Sequence, residues 1–93
     1  MEIIQTQRGF SKGKFKDQYG LVCSIQESSL ATEDCIWLGI DEPKLTVFDS
    51  SMGNYVVNDL PKNWRVDSRM HLTRHQVLDL IPLLQGFVDT GSL

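Results

Sequence analysis

Leu72-Thr73-Arg74-His75-Gln76-Val77-Leu78-Asp79-Leu80-Ile81-Pro82-Leu83-Leu84-Gln85-Gly86-Phe87-Val88-Asp89-Thr90-Gly91 is the stretch on which the fold turns. Val77, Leu80, Ile81, Leu84, Phe87 and Val88 recur at steps of three and four, which places them on one stripe of a helix over 74–89. His75, Asp79, Gly86 and Asp89 fall on the other side. Thr73 is set to cap the first turn, and Gln76 three residues on completes a capping box. Leu72 and Val77 form the matching hydrophobic staple, and Gly91 supplies a left-handed stop. Pro82 interrupts the backbone ladder at a cost of about 3 kcal/mol. The apolar period continues on both sides of it, so the pattern predicts one kinked helix rather than two. The kink either wraps the helix round a curved sheet or shapes a groove.

Upstream, the chain reads as strands. Phe10–Lys16, the turn Asp17-Gln18-Tyr19-Gly20 and Leu21–Gln26 form a hairpin. Leu21, Cys23 and Ile25 share one face, and Ser24 and Gln26 share the other, which is expected to be wet. Cys35–Ile40 is apolar apart from Gly39 and reads as a central strand covered on both faces. Leu45–Phe48 and Tyr55–Val57 flank the turn cluster Asp49-Ser50-Ser51-Met52-Gly53-Asn54. Leu60–Asn63 is loop, Val66–Leu72 a last strand feeding the helix, and Glu27–Asp34 either loop or a single helical turn. The expected architecture is α+β: a small antiparallel sheet of four to six strands, packed by one C-terminal amphipathic helix. A lone hairpin or helix of this length is marginal in water, so that packing has to carry the stability.

Ninety-three residues suit a single domain over residues 1–93 with one modest core. A net charge of −3 disfavours a strongly cationic nucleic-acid module. The longest apolar run, Cys35-Ile36-Trp37-Leu38, is far too short to span a membrane, and Met1-Glu2-Ile3-Ile4 lacks the features of a signal peptide. A cytoplasmic location is expected. Cys23 and Cys35 are read as reduced core residues, with a single disulfide as the alternative.

No catalytic motif stands out. There is no Gly-x-Ser-x-Gly elbow, no Walker loop and no dinucleotide fingerprint. Ser11-Lys12-Gly13-Lys14 matches Ser-x-x-Lys without its companion motifs. His71 and His75 have the gap of a zinc finger's second ligand pair, but Cys23 and Cys35 are too far apart for the first. Neither an enzyme, a metal site nor a cofactor is expected.

Several strings carry a resemblance. They are Phe15-Lys16-Asp17-Gln18-Tyr19-Gly20, Cys23-Ser24-Ile25-Gln26-Glu27-Ser28-Ser29-Leu30-Ala31-Thr32 and Ile36-Trp37-Leu38-Gly39. Arg69-Met70-His71-Leu72-Thr73, Gln76-Val77 and Phe87-Val88-Asp89-Thr90-Gly91 complete the set. With them the chain resembles a family of small uncharacterised bacterial proteins associated with phages and prophages, which has no established activity. Glu42–Trp64 carries the least of the likeness. The resemblance implies an accessory phage or prophage protein working in the bacterial host cytoplasm.

The charges suggest where a partner sits. Lys12, Lys14 and Lys16 alternate along one strand and so share a face. Lys62, Arg65, Arg69, Arg74, His71 and His75 form a second basic group. Glu27–Asp49 holds six acids against Lys44 alone. Arg74 and His75 open the helix, where the macrodipole disfavours cations by a few tenths of a kcal/mol. A local rule broken without visible compensation points to a use, such as an anion or an acidic partner. The plainer alternative is a solvated face or salt bridges within the chain. Trp37 reads as core, whereas Trp64, in a loop beside Arg65, is either packed on the helix or an exposed anchor.

The leading expectation is a non-enzymatic protein-interaction module that binds a protein partner, such as a host factor, through Trp64, Arg65, Arg69, His71, Arg74 and His75. Nucleic-acid binding through the basic face is one alternative, and a small anionic ligand or nucleotide signal is another. Leu78 and Leu83, on the flanks of the apolar stripe, suggest a homodimer contact.

Overall fold

The computed structural model describes all 93 residues, Met1–Leu93. The elements run β1(Ile3–Gln5), β2(Ser11–Lys16), β3(Val22–Glu27), β4(Cys35–Ile40), β5(Leu45–Asp49), β6(Asn54–Asn58), β7(Arg69–Thr73) and α1(Arg74–Thr90). The fold is α+β, as the patterning predicts. β1-β2-β3-β4-β7 form a five-stranded sheet and β5-β6 a separate two-stranded one, with every pairing antiparallel.

Local chemistry explains most boundaries. At the β2–β3 turn, the Asp17 carboxylate accepts the amides of Tyr19 and Leu21, both at 2.9 Å, and Gly20 takes a left-handed φ of 85°. At the β5–β6 turn, Asp49 accepts both the amide and the hydroxyl of Ser51, and Gly53 is left-handed. These bonds hold the Asp49 carboxyl below its usual pKa. Ser28–Asp34 has no helical turn.

β1 was not anticipated, because three exposed residues make a weak pattern; its Ile3 pairs with Gly13. The last strand begins at Arg69 rather than Val66. Just before it, the Ser68 carbonyl accepts the Ile40 amide at 3.0 Å and its hydroxyl donates to the Ile40 carbonyl at 2.8 Å. Gly39 allows this close approach, with φ +149° and the Ser68 carbonyl oxygen 2.5 Å from where a Cβ would stand.

Register sorts the sheet into two faces. Gly13, Ile25, Leu38 and Met70 form one row, with Phe15, Cys23 and Ile40 beside it on the same apolar face. Lys12, Gln26, Trp37 and His71 form a row on the other face, with Lys14, Ser24, Gly39 and Arg69 beside it. Only Gly13, Cys23, Ser24 and Cys35 are buried. β4 was expected to be covered on both faces, but beyond Cys35 it is only half-buried. Ser24, expected on a wet face, is instead 0% exposed. Trp37 is half-buried on the polar face rather than in the core.

Cys23 and Cys35 are both free. Cys23 pairs with Ile40, at the far end of β4 from Cys35. Five residues of strand span about 16 Å, far beyond the ~7 Å that a disulfide bridges.

α1 has the expected ends. Thr73 accepts the Gln76 amide at 3.2 Å, Gln76 accepts the Thr73 amide at 3.0 Å, and Gly91 closes the helix with φ 78°. Pro82 lies inside one continuous helix. The extent of packing differs from expectation. α1 packs chiefly on β7, and none of its residues is buried. Val77 and Leu80 are half-covered, while Leu78, Ile81, Leu83, Leu84, Phe87 and Val88 are 53–76% exposed. The reason is covalent: Thr73 ends β7 and also caps α1. No connecting residue remains to turn the helix back across the sheet.

Two substitutions check these constraints by urea unfolding. Gly39→Ala should cost about 2 kcal/mol or more, because the new Cβ meets backbone at a positive φ. Thr73→Ala should cost about 1 kcal/mol through loss of the capping box.

Candidate functional site

The polar face carries a network centred on Asp41. Its carboxylate lies 3.0 Å from the Lys12 ammonium and 3.7 Å from the Arg69 guanidinium, and it accepts the Ser24 hydroxyl at 2.7 Å. Lys12 and Arg69, assigned from the sequence to two separate basic groups, therefore meet on one acid. The acid itself was not anticipated, because Asp41 falls just after β4 in a pattern that reads as a turn. Burial pushes the Asp41 pKa up, but the Ser24 hydroxyl, Lys12 and Arg69 outweigh it and hold the carboxyl below its usual value. Arg69 also donates to the Gln26 side chain at 3.0 Å.

Trp37 sits beside this network. Its ring stacks on His71 at 4.1 Å, and the Arg69 guanidinium lies 5.2 Å from the ring centre. The second ring nitrogen of His71, Nε2, is 2.8 Å from the Ser28 hydroxyl. A hollow of about 330 Å³ adjoins Trp37, bordered by Arg8 and Phe10 of the β1–β2 loop. There the Arg8 guanidinium lies 5.7 Å from the Phe10 ring centre.

The remaining basic residues are scattered. Arg65 pairs with Asp67 at 2.8 Å, Arg74 with Asp34 at 3.6 Å and His75 with Asp79 at 3.6 Å, all on exposed surface. Such pairs contribute about 0–1 kcal/mol and open readily. His71 lies on β7 and His75 on α1, and no cluster of three metal-ligating side chains forms. Lys14 and Lys16 share a face with Lys12 but are exposed and form no ion pair. Trp64 is 66% exposed rather than packed on the helix.

Cys35 is poorly suited to nucleophilic chemistry. Burial, with the charges of Glu33 and Asp34 adding to it, pushes the thiol pKa up and disfavours the reactive thiolate. Close by, a second concavity opens. It is an apolar groove of about 540 Å³ between the start of α1 and the ends of β3, β4 and β7. Ile25, Leu30, Ile36, Leu72, Val77 and Ile81 supply its apolar lining. It runs into the exposed stripe of α1, so groove and stripe form one apolar surface. Glu33, Asp34 and Arg74 stand at its edge.

Compared with known protein families, curated proteins and solved structures, the chain matches none. No helix is long and apolar enough to cross a membrane.

The Asp41 network makes a testable contribution to stability. Because the folded carboxyl titrates below its unfolded value, its contribution is complete above about pH 4. It is lost as pH falls through the folded pKa. Asp41→Asn should therefore cost about 1–3 kcal/mol at pH 7, by leaving the Ser24 hydroxyl and two cations poorly matched. It should also flatten the acid limb of a plot of urea midpoint against pH below about pH 4.

Proposed function

We propose that this chain is a non-enzymatic protein-interaction module, and that its contact surface is the apolar stripe of α1 together with the groove at the helix start. The observation carrying this reading is the exposure of six large apolar side chains, Leu78, Ile81, Leu83, Leu84, Phe87 and Val88, on one 17-residue helix. Contiguous apolar surface of this kind is unfavourable in water and marks a surface that another protein covers. The resemblance to small phage- and prophage-associated proteins supports an accessory role in bacterial cytoplasm.

The basic approach to the helix takes a secondary part in this reading. Arg69 and Lys12 are committed to Asp41, so they hold the sheet together rather than greet a ligand. Arg74 and His75 have only weak exposed partners and are free to serve as rim charges. Trp64 and Arg65 supply an accessible aromatic and cation for a peripheral contact.

Capture experiments separate the apolar surface from the basic one. Tagged wild type, Leu84→Asp/Phe87→Asp and Arg74→Glu would be incubated with bacterial lysate and with an untagged copy of the chain. The apolar double variant is expected to lose its specific partners, and Arg74→Glu to keep most of them. Retention of every partner by the double variant would refute the assignment of the surface.

A further inference from the structure

We infer that the polar face of the five-stranded sheet binds single-stranded nucleic acid, with one base stacked at Trp37 and Phe10 and the phosphates tracking β2. This face lies opposite the α1 groove, whose sheet residues Ile25, Ile36 and Leu72 belong to the apolar side. The inference is therefore independent of the surface proposed above.

The first support is charge. The paired strands place Lys12, Lys14, Lys16 and Arg69 on the polar face and no acid, in a chain with 12 acids against nine lysines and arginines. Asp41, just past β4, binds Lys12 and Arg69 together, which leaves that trio with one positive charge. Lys14 and Lys16 are exposed, as is Arg8 of the β1–β2 loop, and none of the three enters an ion pair. Alternate residues of a strand stand about 6.6 Å apart, close to the step between adjacent phosphates of an extended single strand. A lysine row at that step suits a run of phosphates better than the phosphate of one nucleotide.

The second support is an aromatic platform at the head of the row. Phe10 and Trp37 line the hollow of about 330 Å³, and the Arg8 guanidinium lies 5.7 Å from the Phe10 ring centre. That volume is at the lower end for ligand pockets and suits one base. Lys12 pairs with Gln26 at the edge of the hollow, and Lys14 and Lys16 lead away from it. Both rings are positioned in advance. Trp37 is stacked on His71 at 4.1 Å. The Thr6 amide donates to the Phe10 carbonyl at 2.8 Å, and the Thr6 hydroxyl accepts the Phe10 amide at 3.1 Å. Aromatic rings already in place stack a base at little ordering cost. Gln26 accepts from Arg69 through its side-chain oxygen, so its amide N–H groups are free for a base carbonyl. Glu27, the acid on the rim, accepts the Ser11 amide through one oxygen, and the other suits the amino group of a base. A duplex hides its base faces, so such a platform selects single strands.

Fluorescence titration with a mixed-sequence single strand of about twelve nucleotides tests the inference. A Trp64→Phe background leaves Trp37 as the one tryptophan. The strand is expected to quench it, with log affinity falling against log salt at a slope of about −2 for three phosphate contacts. Lys14→Ala/Lys16→Ala, which breaks no ion pair, should weaken binding about tenfold at low salt and cut the slope to about −0.7. Trp37→Ala, read by anisotropy of a labelled strand with circular dichroism confirming the fold, should weaken binding about tenfold, and Trp37→Phe should keep most of it. A blunt duplex of the same length and a free mononucleotide should each bind at least about tenfold more weakly. Absence of quenching at low salt, or an affinity unchanged by the lysine pair, overturns the inference. Equal binding of the duplex overturns the stacking platform, and equal binding of the mononucleotide overturns the strand in favour of a free nucleotide.

Discussion

Thr73 serves two elements at once. Its backbone closes β7 against Cys35, and its hydroxyl caps α1 in a reciprocal box with Gln76. A junction without a loop is stiff. Two amides at the helix start, those of Thr73 and Gln76, are satisfied on the spot, and the direction of the helix is tied to the direction of the strand. Such a junction keeps α1 from folding back over the sheet. Half-coverage of Val77 and Leu80, exposure of the rest of the stripe and the open groove beside Ile36 and Leu72 all follow from it.

The two faces of the sheet are organised by different physics. One collects Gly13, Phe15, Cys23, Ile25, Leu38 and Ile40, and gains from removing apolar surface from water. The other is held by Asp41, which gathers Lys12, Ser24 and Arg69 from three strands. Removing such charges partly from water is costly, and the arrangement is stable because every member has a partner. No buried side-chain polar atom is left unsatisfied. The ion-paired basic residues thus divide into two kinds: Lys12 and Arg69 meet on the half-buried Asp41, while Arg65, Arg74 and His75 sit on exposed ground with weak partners. Trp37, held between His71 and Arg69, joins the polar face to β7.

A chain that buries four of its 93 residues has a small core for its length. Exposed apolar side chains occur on β1, on β5–β6 and in the loops as well as on α1, where six fall on one 17-residue helix. Arg74 and His75, misplaced for the helix dipole, are offset within the chain by the exposed acids Asp34 and Asp79.

The sequence by itself determined the elements with short-range causes. The helix, its cap, its glycine stop, the Asp17–Gly20 turn, the main hairpin and the antiparallel class are legible because each depends on residues within a few positions of one another. The alternation of Lys12, Lys14 and Lys16 placed them on one face for the same reason. Only the tertiary structure decided where α1 lies, that Asp41 unites Lys12 with Arg69, that Ser24 is sealed from water, that Trp64 is exposed and that β5–β6 stands as its own sheet. Those outcomes depend on strand register and on close approaches such as Ser68 over Gly39, between residues far apart in the chain. An amphipathic period states that a helix has an apolar side. It carries no information about whether the covering surface belongs to the same chain, because the water excluded is the same in either case.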